Sequence, residues 1–142
     1  MHIKLVPIDK PSDEAAVPHC GYWSIYVIRQ GTLSRTSNGM TETYGKGILV
    51  LRPSSEQISF TFGSNLKGCF LSVPDEPQFS IDPDCPSYIP LHGAEGNSKL
   101  RMVDGYLSLI KESLNNADLP YAYAETTNLC QALFKRIESY CK

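Results

Sequence analysis

The chain has little with which to build a covalent or metal-bound scaffold. Its five cysteines (Cys20, Cys69, Cys85, Cys130 and Cys141) are odd in number, scattered, and nowhere form a C-x-x-C pair. This argues against both a disulfide framework and a zinc knuckle, and the residues read as reduced thiols, mostly buried as small apolar groups. Long hydrophobic runs are missing too. No apolar run is longer than residues 48–51, far short of the roughly 20 residues that a membrane-spanning helix needs. Lys4, Asp9 and Lys10 interrupt the start before a signal-peptide core can form, so the expected location is the cytoplasm, with no membrane partner. Charge of one sign is likewise absent: 13 basic and 15 acidic residues leave a net charge of -2, and basic residues cluster no further than pairs such as Lys135-Arg136. That is not the footprint of a nucleic-acid-binding surface. Gly45-Lys46-Gly47 lacks the following helix that a phosphate loop requires. With no Ser/His/Asp arrangement and no pair of neighbouring carboxylates to assign, the expectation is a protein that is not an enzyme and has no catalytic residue.

What the chain does have is a run of short strand patterns over residues 22–62, punctuated by Gln30-Gly31, Ser37-Asn38-Gly39, Gly45-Lys46-Gly47 and Arg52-Pro53-Ser54-Ser55. Short strands at regular spacing, one turn carrying Asn-Gly, predict a compact antiparallel sandwich or small barrel. In residues 22–29 both alternating faces are largely apolar, as in a strand covered on both sides. A further strand follows at 67–73, stopped by Pro74, with a short one expected at 78–81. Residues 82–96, rich in proline and glycine, read as an irregular connector.

From Ser98 the period becomes helical: Leu100, Val103, Tyr106, Leu107, Ile110 and Leu114 form one stripe. Residues 115–118 break it, Asp118 is expected to cap the next helix, and Pro120 suits its first turn. The second helix places Cys130, Leu133, Phe134, Ile137, Tyr140 and Cys141 on one face. The expected fold class is mainly β with C-terminal α, a barrel followed by a two-helix antiparallel hairpin. It is taken as a single domain over 1–142, with barrel and connector at 1–96 and the hairpin at 97–142.

The spacing of Gly47, Pro53, Ser55 and Ile58 resembles the second motif of the cupin superfamily, in which a glycine stands at the place of Ser55 and a metal-binding histidine at that of Ile58. The first motif overlays Val17, His19, Ser24 and Gly31. Of the four ligand positions that the resemblance implies, this chain keeps only His19, and a lone imidazole makes no tight metal site. No metal and no cofactor are therefore expected. A cupin-like barrel with Tyr-Val-Ile-Arg-Gln-Gly, a later Gly-Ile-Leu-Val-Leu-Arg-Pro, and two amphipathic helices resembles the N-terminal effector-binding and dimerisation domain of AraC-type transcription regulators. In that family a DNA-binding helix-turn-helix pair follows, so the resemblance implies DNA contact only through a domain missing from this chain.

The ligand positions of the resemblance point into the barrel, and alternation then turns Tyr22, Ser24, Tyr26 and Ile28 inward, together with Ile58, Phe60 and Phe62. Leu71, with Cys69 and Val73 on its face, closes the wall. The expected ligand-binding set is His19, Tyr22, Ser24, Tyr26, Ile58, Phe60, Phe62 and Leu71, an aromatic and apolar lining for a small organic effector. Trp23, on the opposite face, is expected against the helices. The apolar stripe of the second helix, Cys130, Leu133, Phe134, Ile137 and Tyr140, is the expected interface of a homodimer. Two other readings stand beside the sensor: a stand-alone cupin-like enzyme (isomerase or oxygenase), and a structural dimerisation module whose interior is filled.

Overall fold

The computed structural model describes residues 3–10, 12–13, 21–53, 58–79, 81–82, 84–91 and 93–141, with the backbone alone at 93–96. Its strands are β1 (Lys4–Ile8), β2 (Tyr22–Gln30), β3 (Leu33–Ser37), β4 (Met40–Tyr44), β5 (Ile48–Arg52), β6 (Ser59–Phe62), β7 (Lys67–Pro74) and β8 (Tyr88–Pro90). Two helices follow, α1 (Gly93–Asn115) and α2 (Ala122–Tyr140). A five-stranded sheet has the order β1-β7-β2-β5-β8, and a three-stranded sheet the order β4-β3-β6.

Glycine and proline decide where the chain changes direction. At the β3–β4 hairpin both Asn38 and Gly39 have positive φ, 52° and 77°, as the I′ turn that matches strand twist demands. Gly31, at φ 79°, ends β2 where the chain leaves the large sheet for the small one. Pro53 ends β5 where the chain leaves the large sheet a second time, since it has no N–H to give to a ladder.

The large sheet is covered on both faces, which explains why β2 is apolar on both. Its outer face carries Ile25, Val27, Leu49, Leu51, Leu71, Val73 and Ile89 into one core with Val103, Leu107 and Ile110 of α1 and Leu133, Phe134 and Ile137 of α2. Trp23 packs on the same cluster. Its inner face sends Ile8, Tyr26, Ile28, Val50 and Phe70 against Leu33, Tyr44 and Phe62 of the small sheet and its flanks. The hairpin is further tied by a buried hydroxyl pair, Ser113 Oγ and Thr126 Oγ1 at 2.7 Å, and α1 is tied to β2 by the Arg29–Asp104 ion pair.

Several expectations are corrected. The barrel is not closed: among the described residues the small sheet's strands, of four or five residues, pair with one another and with no strand of the large sheet. The expected strand at 78–81 is instead a 3-10 turn at Pro77–Phe79, and the connector contains β8, paired with β5. Helix α1 begins at Gly93 rather than near Ser98. Helix α2 starts after Tyr121, with no side-chain cap, and Asp118 lies in the preceding turns.

The stripe expected at a dimer interface is consumed inside the chain. Cys130, Leu133 and Ile137 are 0 % exposed and Phe134 1 %, because the outer sheet face needs that apolar surface as its cover. Tyr140 is half-buried against the same core.

Burial also pushes the Cys130 thiol up from its ordinary 9.0 to about 12. The folded chain thus keeps a proton that the unfolded chain releases, so this contribution is complete below pH 9 and is lost as pH rises towards 12, at about 1.4 kcal/mol per pH unit. Burial raises Cys69 and Cys141 as well. Urea midpoints measured from pH 7 upwards are expected to hold to about pH 9 and then fall, and Cys130→Ala to flatten part of that fall. A variant with the full wild-type alkaline slope contradicts the assignment to Cys130.

Candidate functional site between the sheets

The inner face of the large sheet is built in rows. One row is apolar: Val6, Phe70, Tyr26 and Val50 are successive partners across β1, β7, β2 and β5. Two residues along each strand, the next row is Lys4, Ser72, Ser24 and Arg52, so polarity enters on one side of an aromatic floor.

Ser24 and Ser72 are both 0 % exposed, and their hydroxyls meet at 3.0 Å. Each hydroxyl has further donor or acceptor capacity beyond that bond. Arg52 is 6 % exposed, with its guanidinium carbon 5.8 Å from the centre of the Phe60 ring, a cation–π arrangement. Across the gap, Arg35 of β3 is the register partner of both Phe60 and Glu42 and is in phase with the inward Leu33. Glu42 accepts a 2.6 Å hydrogen bond from the Tyr44 hydroxyl. Burial, and next the Glu42 carboxylate, raise the Tyr44 phenol, which keeps it a neutral donor. The Tyr44 ring stands 5.2 Å from that of Tyr88.

The floor is a set of rings in mutual contact, with Tyr26 at 5.0 Å from Phe60, 6.3 Å from Phe62 and 5.9 Å from Phe70. Chemically the arrangement offers apolar area, two serine hydroxyls, tyrosine phenols and guanidinium charge. Among the described residues the partner of the Ser24 hydroxyl is another hydroxyl, that of Ser72.

Of the residues expected at the site, Ser24, Tyr26, Phe60 and Phe62 face the space between the sheets. Tyr22 is half-buried and in phase with them, and Ile58 is buried immediately before β6. Leu71 is a correction: with Val73 it faces the helices, because Phe70 and Ser72 take the inward phase of β7. His19 lies outside the described residues. Sequence reasoning missed Ser72, Arg52 and Arg35. The signal for Arg52 was its phase with Val50 on β5; the signal for Ser72 was Phe70, whose size calls for a covered face.

No protein-family description matches the chain, and no curated protein matches its sequence. Among solved structures, the AraC-like transcriptional activator CuxR is similar over 98% of this chain and 48% of its own, with a TM-score of 0.55 and 11% identity. Apo ToxT K231A from Vibrio cholerae strain SCE256 is similar over 98% of this chain and 53% of its own, with a TM-score of 0.46 and 13% identity. The EutQ protein of Clostridium difficile covers 53% of this chain and 50% of its own, with a TM-score of 0.36 and 16% identity. The chain therefore spans about half the length of each. At 11% identity the likeness to CuxR is one of fold.

Proposed function

We propose that this chain is the effector-sensing domain of an AraC-type transcription regulator, and that a small polar organic molecule enters between the two sheets. The observation that carries the reading is the buried polar row Ser72, Ser24 and Arg52 set beside aromatic rings. A few convergent polar groups in an apolar lining are what orient a small ligand. Ser24, Ser72 and Arg52 bind its polar atoms; Tyr22, Tyr26, Ile58, Phe60 and Phe62 supply area, with His19 at the ligand position of the cupin resemblance.

Coupling follows from β2. Its inner side chains, Ser24 and Tyr26, line the gap, while its outer ones, Ile25 and Val27, lie in the core beneath the helices. An effector that fits two settings of this strand unequally biases the hairpin, and through it a DNA-binding domain outside this chain. A homodimer, on this reading, pairs through the outer side of α1, where Met102 and Leu109 are exposed and flank Gly105. The setting is the cytoplasm, and among the described residues no helix is long and apolar enough to cross a membrane. A second reading, a structural module with a filled interior, is favoured by the ring contacts around Tyr26.

Screening sugars, amino acids and small organic acids by thermal shift tests the proposal. An effector present at 100 times its Kd is expected to stabilise the chain by about 2.7 kcal/mol. Ser24→Ala is expected to weaken its binding about tenfold while costing about 1 kcal/mol of stability. Hits that bind Ser24→Ala and Arg52→Met as tightly as wild type contradict it.

A further inference from the structure

A groove of about 570 Å³ runs along the opposite face of the large sheet, between α1 and the β1 edge. It lies on the helix side, so it is separate from the gap that holds Ser24 and Arg52. Leu5 and Pro7 of β1 and Cys69 of β7 line it from the sheet. From α1 come Asp104, Leu107, Ser108, Lys111 and Leu114, a set spaced at three and four residues that shares one helix side. The volume falls in the range of roughly 300–1,000 Å³ typical of small-molecule sites.

The charges in the groove do not cancel. Arg29 donates to both carboxylate oxygens of Asp104, at 3.2 and 2.6 Å, so these two neutralise each other. The Asp104 carboxylate also holds the Arg29 guanidinium above its ordinary range. Lys111 is exposed, and among the described residues no carboxylate stands within ion-pair distance of it. Among the described residues the groove therefore carries one positive charge without a carboxylate partner, Lys111, one helical turn from the Ser108 hydroxyl and over an apolar floor.

We propose that this groove binds an organic monocarboxylate with a compact apolar body. The carboxylate is held by the Lys111 ammonium and the Ser108 hydroxyl; the body lies on Leu5, Pro7, Leu107 and Leu114. A neutral molecule of the same shape gains the apolar contacts and forgoes the charge-assisted hydrogen bond, which is the stronger kind.

The test is a methyl and amide NMR titration of the 142-residue chain with 2-naphthoate and, separately, with its neutral counterpart 2-naphthalenemethanol. Expected is saturable one-to-one binding of naphthoate with shifts at Leu5, Leu107 and Leu114, and binding of the alcohol about tenfold weaker. Lys111→Met is expected to weaken naphthoate about tenfold without lowering the melting temperature, because Lys111 is exposed. Lys46→Met, in the β4–β5 turn, is expected to leave binding unchanged. Equal binding of acid and alcohol, or unchanged binding by Lys111→Met, overturns the proposal. So do naphthoate shifts confined to Ile28 and Val50, or groove signals that move with protein concentration alone, the sign of a second copy covering the groove.

Discussion

Phe134→Ala is expected to destabilise the chain by about 3–5 kcal/mol, with the same urea midpoint shift at every protein concentration. The ring is 1 % exposed and stands edge-on to Phe79 at 6.2 Å, inside the core that joins α2 to the outer sheet face. Truncation removes the transfer energy of the ring and leaves a cavity among Leu133, Ile137 and the sheet residues, which cannot close fully. A loss of that size is a large share of the roughly 5–15 kcal/mol that holds a domain folded. The concentration axis separates two roles for the stripe. Were Phe134 part of a dimer interface, the loss would shrink on dilution, where the wild type dissociates too. A midpoint shift below about 1 kcal/mol, far under the range for a buried phenylalanine, contradicts the internal role.

Gly31→Ala is expected to cost about 2–5 kcal/mol, combining about 1–2 for a left-handed L-residue with about 1–3 for overpacking. Gly31 has φ +79°, and a Cβ there would stand 2.5 Å from the carbonyl oxygen of Asn65 and 2.7 Å from the Cα of Leu66. Both are backbone atoms next to a buried anchor, Leu66 at 2 % exposure, so relief requires moving the crossing between the sheets. Gly39 provides the control. It has φ +77°, but a Cβ at this position would meet nothing within 4 Å, so Gly39→Ala is expected to carry the conformational cost alone, about 1–2 kcal/mol. Equal losses for the two variants in urea melts contradict the close-approach explanation.

Local chemistry made much of this fold legible. The Asn38-Gly39 hairpin, the strands punctuated by glycine and proline, and the two helical stripes follow from dihedral preference and periodicity. The hidden part was tertiary. Alternation groups Cys69, Leu71 and Val73 on one side of β7, but it does not say which side faces which layer; the register that sets Ser24 opposite Ser72 decides that. An apolar stripe on α2 likewise demands a partner without naming it, and the chain's own sheet proved to be that partner. Strand β8, three residues that end on Pro90, exists because β5 offers an edge, which no local signal announces. At the candidate site, Tyr26, Phe60 and Phe62 were legible by phase from Ser24 and Ile58, while Arg52 reads in sequence as turn punctuation although it closes β5 on the inner face.

The most direct test of sensing between the sheets is a methyl-labelled NMR spectrum of the chain, titrated with each small polar compound that raises its melting temperature. Ile28, Val50 and Leu66 report the inner cluster, and Val73, Leu133 and Ile137 the core under the helices. The expected result is at least one compound that moves the inner set saturably, with smaller shifts relayed through β2 to the outer set. If the inner methyls stay still for every compound while the chain remains folded, the space between the sheets is a structural core and the sensor reading is wrong.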